Sequence, residues 1–316
     1  MTALADRFTD YRAGVTAIDV ALTRPRDDAA HLVVDGGRAA FVDTGTAHSL
    51  PALLTALEAK DVDRGDVDWV LTTHVHLDHA AGAGLLMRLL PNARCAVHPR
   101  GARHLIDPSQ LIAGSRQVFG AERYDRLYGE IVPIEPSRVL PVEDGARIAL
   151  GGRELELIHT PGHALHHYCI VDEAHALVFS GDTFGLSYRD FDVEGRAFIF
   201  PTTTPVHFDP EALCRSVDRL MSYAPRSIFL THYAEVTELG RLARELKDRV
   251  LAFADLGRRH RESRDRADKL RRGMFAMISG WLDAHGFPRD EGERHRLLDD
   301  DVELNCQGIE VWLDRK

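Results

Sequence analysis

The sequence has few cysteines and no long apolar run. Its four cysteines are scattered over 316 residues and include no Cys-x-x-Cys pair. This pattern is typical of reduced compartments, where cysteine serves mostly as a small buried apolar residue. No apolar stretch reaches membrane-spanning length, and the first residues lack the apolar core of a signal peptide. We therefore expect a cytoplasmic protein without a membrane partner.

Basic residues are in the minority as well. Lys and Arg number 39 against 49 Asp and Glu, which gives a formal net charge of −10. Because nucleic-acid binding requires a basic surface, this balance disfavours a nucleic-acid partner and leaves a small molecule as the expected ligand. The length permits two domains, or one large α/β domain with an appendage, and a core that needs no disulfide staples.

Strand-like and helical segments alternate over the first three-quarters of the chain. The strand-like runs come in two batches, each followed by helices, which predicts an α/β fold of two sheets sandwiched between helices. Residues 99–135 break this alternation and are typical of two short inserted helices. From residue 239 onward the pattern is almost entirely helical. We therefore predict a main domain over residues 1–238 and a C-terminal helical extension over residues 239–316. The amphipathic segment 274–287 in that extension suits packing against the core or against a second copy in a homodimer.

The densest group of coordinating side chains is "HVHLDH", residues 74–79, directly after a predicted buried strand. His74, His76 and Asp78 alternate along the chain, so in an extended stretch they point to the same side. His79 follows at once and must point elsewhere, for example toward a second ion. The spacing therefore indicates a turn that serves one metal ion or two.

Three distant stretches also place a coordinating residue just after a predicted strand. They are "TPGH" with His163, "SGD" with Asp182 and "LTH" with His232. Side chains from strand ends on one rim of a sheet converge into one site. Zinc accepts imidazole nitrogen and carboxylate oxygen and leaves one position to water in catalytic sites. The four motifs together predict a catalytic metal centre.

In this combination and order the motifs resemble those of the metallo-β-lactamase fold superfamily, over roughly residues 15–235, and specifically its glyoxalase II and lactonase-like branch. The resemblance implies an αββα sandwich, here carrying a helical insert at about residues 99–135 and the C-terminal helical extension. It also implies two divalent metal ions, with zinc as the first choice and iron or manganese as alternatives. The implied ligands are His74, His76 and His163 for one ion, Asp78, His79 and His232 for the other, and Asp182 as a bridge between them.

The resemblance further implies residues that support the ligands or contact the substrate. Asp43 in "FVDTG" matches a family aspartate that supports the site from behind the ligands, and His167 is a second candidate for such a role. The predicted catalytic residues are Asp78, which would help fix the second ion, and Tyr188, a candidate hydrogen-bond donor to a substrate oxygen. Plain structural roles remain open for three of them: a turn former at Asp43, a structural histidine at His167 and a packing aromatic at Tyr188.

These features favour a hydrolase in which a hydroxide held by two metals attacks the carbonyl of an ester, thioester or lactone. The apolar side chains of the insert would suit an acyl chain or a ring. One alternative is a mononuclear iron oxygenase similar to persulfide dioxygenases, which bind iron with two histidines and one aspartate. The complete second set, ending in His232, favours the hydrolase over this alternative. A second alternative is a non-catalytic binding protein on the same fold.

Overall fold

The computed structural model describes residues 7–204 and 206–315. Within these residues the strands form two mixed sheets flanked by helices, which confirms the predicted α/β class. The first sheet has the order β1 to β7, antiparallel from β1 to β4 and parallel from β4 to β7. Its strands are β1 Phe8–Asp10, β2 Val15–Asp19, β3 Ala29–Asp35, β4 Arg38–Val42, β5 Val67–Leu71, β6 Arg94–Val97 and β7 Val139–Pro141.

The second sheet has the order β13-β12-β11-β10-β9-β8. Strands β8 to β11 pair antiparallel, and β12 joins β11 in parallel. Its strands are β8 Ala146–Leu150, β9 Arg153–His159, β10 Tyr168–Asp172, β11 Leu177–Gly181, β12 Ser227–Leu230 and β13 Ala234–Val236.

Ten α-helices connect and follow the strands in the described part of the chain. Proline occupies the first turn of α1, and α7 and α10 each begin behind an aspartate that caps a backbone N–H. The helices are α1 Leu50–Ala59, α2 Leu77–Ala80, α3 Ala83–Leu89, α4 Pro99–Ile106, α5 Ser109–Phe119, α6 Ala121–Tyr128, α7 Pro210–Ser222, α8 Leu239–His260, α9 Arg266–His285 and α10 Glu291–Asp314.

The insert contains three helices, so the expectation of two was wrong. Helices α4, α5 and α6 fill residues 99–128, and residues 129–135 form neither helix nor strand. The first break falls at Asp107, because a residue before proline avoids the helical region. The second falls at Gly120, whose φ of +75° is open to glycine and strained for other residues.

Contacts separate the chain into two compact units that are not contiguous in sequence. The first contains residues 7–159, 166–181 and 227–235 of the described chain, and the second contains the remainder. In the second unit the C-terminal helices are grouped with residues 182–226. Strand β13 ends at Val236 and α8 begins at Leu239, so the change from strands to helices falls where the sequence predicted it. A domain boundary at residue 238 stays a prediction.

The two sheets pack face to face inside the first unit. Val33 and Val42 of the first sheet share a buried cluster with Leu157, Ile170 and Phe229 of the second. The other face of the first sheet joins α1, α3 and α4 in a separate cluster. Each such side chain contributes about 1.5–3 kcal/mol when fully buried, so the sandwich is a rigid base for the loops at its edge.

The C-terminal extension is held by its own apolar residues. Met274, Ile278 and Leu282 of α9 are fully buried in the chain, and α9 packs with α8 and α10 inside the second unit. The homodimer stays a prediction. Among the described residues, no helix combines the length and the apolar character needed to cross a membrane.

Candidate metal centre

The histidine turn connects the end of β5 to α2. His76 is the residue before the helix and has extended backbone angles, so Asp78 and His79 fall in the first helical turn. The backbone N–H of Thr44 donates to the carbonyl of His79 at 2.8 Å, which ties the turn to the loop after β4. A Cβ on Gly82 would lie 2.7 Å from the carbonyl oxygen of Thr46, so only glycine allows this close approach.

The structure brings the seven predicted ligands into two groups. In each group, every residue offers one ligand atom, and these atoms lie within 4.8 Å of one another. The first group consists of His74, His76, His163 and Asp182, and the second of Asp78, His79 and His232.

Individual distances show how the ring nitrogens and carboxylate oxygens of these groups converge. Nε2 of His74 lies 2.9 Å from Nδ1 of His76. Nε2 of His163 lies 3.4 Å from Oδ2 of Asp182. In the second group, Oδ2 of Asp78 lies 3.5 Å from Nε2 of His79 and 3.5 Å from Nε2 of His232.

Three of the histidines direct their other ring nitrogen toward an oxygen acceptor. Nδ1 of His79 lies 2.7 Å from Oδ2 of Asp43, and Nδ1 of His232 lies 2.9 Å from the carbonyl oxygen of Asp27. Nδ1 of His163 lies 3.3 Å from the carbonyl oxygen of Thr202. An acceptor at Nδ1 keeps the proton there and leaves Nε2 deprotonated, the form in which imidazole binds a metal.

Asp43 connects several parts of the centre. Besides His79, its carboxylate accepts hydrogen bonds from the backbone N–H and the hydroxyl of Thr73 and from the hydroxyl of Thr231. Thr73 precedes His74, and Thr231 precedes His232. Asp43 itself has a φ of +56°, a strained conformation for a residue with a side chain. Asp43 therefore contacts one candidate ligand and the residues that precede two others, and its supporting role at a metal site stays a prediction.

Asp28 is a member of the centre that sequence reasoning missed. Its Oδ1 lies 2.7 Å from Nδ1 of His232, and its side chain is only 1% exposed. Burial raises the pKa of Asp28 to about 7, while the neighbouring His232 acts in the opposite direction. The only signal in the sequence is an Asp-Asp pair before β3, which does not indicate a partner near residue 232.

His167 lies against the ligand His74. The two rings stack with centroids 4.8 Å apart and an interplanar angle of 30°. A Cβ on Gly181 would come within 2.7 Å of Nε2 of His167, and Gly181 has a φ of +46°. A glycine at the end of β11 is thus required for this ring to sit behind the ligand.

Tyr188 makes a hydrogen bond and aromatic contacts within the second unit. Its hydroxyl donates to Oδ1 of Asp301 at 3.2 Å, and its ring packs near Phe191 and Phe200. The side chain is 5% exposed. These contacts favour the packing interpretation, and a substrate contact by Tyr188 stays a prediction.

The donor set suits divalent transition ions. Imidazole nitrogens and carboxylate oxygens without thiolate are ligands that zinc, iron and manganese accept. Both groups are largely buried. Burying the negative charge of their carboxylates is costly, and a bound cation would compensate that charge.

Comparisons with known proteins define the class. Residues 24–232 match the sequence profile of the metallo-beta-lactamase superfamily. The chain is 32% identical over 231 residues to a hydroxyacylglutathione hydrolase of Acidiphilium cryptum, covering 72% of this chain and 73% of that protein. The chain therefore belongs to the metallo-beta-lactamase superfamily, as its motifs predicted.

Two further relatives are similar over shorter stretches. A metallo-beta-lactamase fold-containing protein of Sulfurisphaera tokodaii, ST1585, is 30% identical over 173 residues, 52% of this chain and 60% of that protein. An acyl-coenzyme A thioesterase of Gallus gallus, MBLAC2, is 33% identical over 118 residues, 35% of this chain and 40% of that protein. The matches thus span less than two thirds of the length of these two relatives.

Solved structures share the fold. The crystal structure of ST1585 superposes with a TM-score of 0.66 at 20% identity and covers 95% of this chain and 99% of that chain. The metallo-beta-lactamase family protein TTHA1429 of Thermus thermophilus gives a TM-score of 0.63 at 23% identity, over 96% of this chain and 93% of that chain. These likenesses confirm the predicted metallo-β-lactamase fold and carry no information about the substrate.

Proposed function

We propose that this protein is a metal-dependent hydrolase that attacks the carbonyl group of its substrate. The substrate we expect first is a thioester, and the alternatives are esters and lactones. The observation that carries the proposal is the convergence of seven imidazole and carboxylate side chains in two groups. Divalent ions bound there lower the pKa of water toward about 7 and polarise a carbonyl group, which is the chemistry that hydrolysis requires.

The side chains of the centre have separate tasks in this proposal. His74, His76, His163 and Asp182 hold one ion, and Asp78, His79 and His232 hold a second, with zinc as the expected metal. Asp182, in the first group, would also contribute to holding the second ion, as the resemblance implies.

The residues behind the ligands keep the rings in one orientation. Asp43 holds the proton of His79 on Nδ1, and the carbonyl oxygen of Asp27 does the same for His232, with the carboxylate of Asp28 close to the same nitrogen. A carboxylate behind a ligand ring also strengthens the basicity of that ring, and a bound cation would favour the ionised form of Asp28 against the effect of its burial. The site is thereby preorganised before any substrate enters.

The names of the relatives support a thioester. Hydroxyacylglutathione hydrolase and acyl-coenzyme A thioesterase both describe enzymes that release a thiol from an acyl group. A thiolate leaves more readily than an alkoxide because its conjugate acid is stronger, so this centre needs no dedicated acid to protonate a leaving thiol.

The first test is the metal content of protein purified without added metal or chelator. We expect about two zinc ions per chain, as in hydrolytic two-metal sites. About one iron per chain, together with oxygen-dependent consumption of a persulfide, would replace the hydrolase with the oxygenase alternative.

The second test is thiol release from a panel of acyl-coenzyme A and acylglutathione thioesters, with ester and lactone substrates in parallel. Asp182→Asn should abolish turnover, and His79→Gln should leave about one ion bound. The control is His295→Gln, a half-exposed histidine of α10 outside both groups. A metal-loaded protein that cleaves no member of the panel would instead support the non-catalytic binding alternative.

A further inference from the structure

The last residue of α6 packs against the helix that carries two of the candidate ligands. Tyr128 shares a buried cluster with Leu77 and Ala81, which flank Asp78 and His79 on α2. The following residue, Gly129, is close to the loop after β4. A Cβ on Gly129 would lie 2.9 Å from Cβ of Ala47. Tyr128 is therefore held in place on both sides by segments that position the second ligand group.

The electrostatic surroundings of Tyr128 connect its phenol to the same group. Burial is the largest cause that raises the pKa of Tyr128, and the next two are the charges of Asp78 and Asp28. The charges of both carboxylates thus act in the same direction as burial, against ionisation of the phenol. It remains protonated at any physiological pH and can serve only as a neutral hydrogen-bond donor or acceptor.

The hydroxyl of Tyr128 is available for a ligand. Among residues 7–204 and 206–315 it makes no hydrogen bond to the protein, and the residue is 4% exposed. Within the same part of the chain the hydroxyl of Tyr124 also lacks a partner, but its oxygen is fully buried and therefore out of reach of a ligand. Tyr188, the donor expected from the sequence, already donates to Asp301.

We propose that Tyr128 is a catalytic residue whose hydroxyl donates a hydrogen bond to the carbonyl oxygen of the substrate. This inference rests on the proposed function. As water adds to the carbonyl carbon, negative charge develops on that oxygen, and a preorganised donor stabilises it without giving up its proton. The hydrogen bond from the phenol is therefore stronger in the transition state than in the ground state, and it raises kcat.

The surroundings of Tyr128 also indicate the acyl side of the substrate. Leu111, Ile112 and Phe119 of α5 are partly buried and pack on the same cluster. An apolar acyl group beside the carbonyl would cover these side chains, whereas a charged one would lose its hydration there. The substrate class expected from this geometry is an aliphatic or aromatic acyl thioester.

The experiment compares Tyr128→Phe with Tyr124→Phe. Tyr124 lies one helical turn earlier in the same cluster, and the charges that act on it are those of Arg116 and Asp125. Phenylalanine preserves the ring packing at both positions. Metal content and thermal midpoint are measured for each variant, followed by kcat and KM for hexanoyl-coenzyme A. In parallel, calorimetry gives the affinity of the metal-loaded protein for hexylphosphonate, a tetrahedral anion with an apolar tail.

Tyr128→Phe should lower kcat about 10- to 100-fold with little change in KM, the range expected for one hydrogen bond to a charged oxygen. It should weaken hexylphosphonate binding by a similar factor. Tyr124→Phe should change neither quantity more than about twofold. Equal kinetics and equal phosphonate affinity in the two variants would overturn the role of Tyr128.

The two measurements separate this inference from the proposed function. If the unmodified protein hydrolyses no thioester but binds hexylphosphonate in a Tyr128-dependent manner, the proposed hydrolysis fails and the donor role stands. If it hydrolyses thioesters and Tyr128→Phe matches it in both measurements, the hydrolase stands and the donor role is wrong. If the unmodified protein neither hydrolyses the thioester nor binds the phosphonate, both are overturned.

Discussion

Two buried carboxylates, Asp43 and Asp28, stand behind two histidines of the second ligand group. Each lies 2.7 Å from Nδ1 of its histidine, His79 for Asp43 and His232 for Asp28. Buried charges without compensation are costly, so both aspartates need a positive partner. A metal ion bound by His79 and His232 would supply such a charge through the two imidazoles. The carboxylates and the ligands therefore form one electrostatic unit.

Replacing Asp28 tests this relation at a single side chain. Asp28→Asn keeps the shape and an acceptor for Nδ1 of His232 but removes the charge, so the affinity of the second ion should fall about 10- to 100-fold. A competition titration of zinc against a chromophoric chelator measures it. The control is Asp66→Asn, a half-exposed partner of Arg38. Equal zinc affinities for the two variants would show that Asp28 does not support the ligand.

His31 on strand β3 belongs to neither ligand group and packs between the sheets. His31 is 1% exposed, and its ring lies edge-on to Phe179 and Phe229, with centroids 5.4 and 5.5 Å away. Burial lowers the pKa of His31 to about 4, with Asp43 acting in the opposite direction. The neutral ring is thus part of the apolar packing between the sheets.

This burial makes the fold sensitive to acid. The pKa of histidine in the unfolded chain is about 6.5, so between pH 6.5 and 4 the unfolded state binds a proton that the folded state does not. The free energy of unfolding should therefore fall as the pH drops through this window, by at most about 3 kcal/mol from His31. His31→Leu should reduce the fall.

Thermal unfolding at pH 7 and pH 4.5 measures the effect. The partly exposed His260 provides the control variant, His260→Gln, which should retain the acid sensitivity of the unmodified chain. If His31→Leu loses as much thermal stability between pH 7 and pH 4.5 as the unmodified chain, the acid sensitivity belongs to other groups. One such group is His98, because burial also lowers its pKa to about 4.

The second compact unit is held together by polar contacts as well as by apolar packing. Asn305 of α10 accepts hydrogen bonds from the backbone N–H and the hydroxyl of Thr203, and all of these groups are buried. A Cβ on Gly308 would lie 1.5 Å from the carbonyl oxygen of Thr203. The C-terminal helix and the segment around Thr203 therefore fit together only with these two residues in place.

Asn305→Ala should destabilise the protein by about 1–3 kcal/mol, because it leaves the buried backbone N–H of Thr203 without an acceptor, while the hydroxyl of Thr203 can still donate to the backbone carbonyl of residue 305. Chemical denaturation monitored by circular dichroism gives the change in the free energy of unfolding. Gln307→Ala removes a contact with Glu303 on the same helix and should cost less than about 1 kcal/mol. Similar losses for both variants would mean that the contact with Thr203 contributes little to stability.

The sequence by itself determined the family, the two-sheet fold and the seven candidate ligands. These features are local: a ligand is recognisable from the few residues around it, as in "HVHLDH" or "TPGH", and a strand from its run of apolar residues. The helical character of the last quarter was likewise readable, because the periodicity of α8 to α10 lies within each segment.

The tertiary structure alone decided which residues support and surround the ligands. Asp28 meets His232, and Tyr128 meets the helix of Asp78, across long separations in sequence. Tyr188 was a candidate donor to the substrate, but its hydroxyl bonds to Asp301, a residue that sequence spacing does not connect with it. Neither an aspartate before a strand nor a tyrosine at a helix end indicates its partner, since contacts between distant residues arise only when the sheets and helices pack.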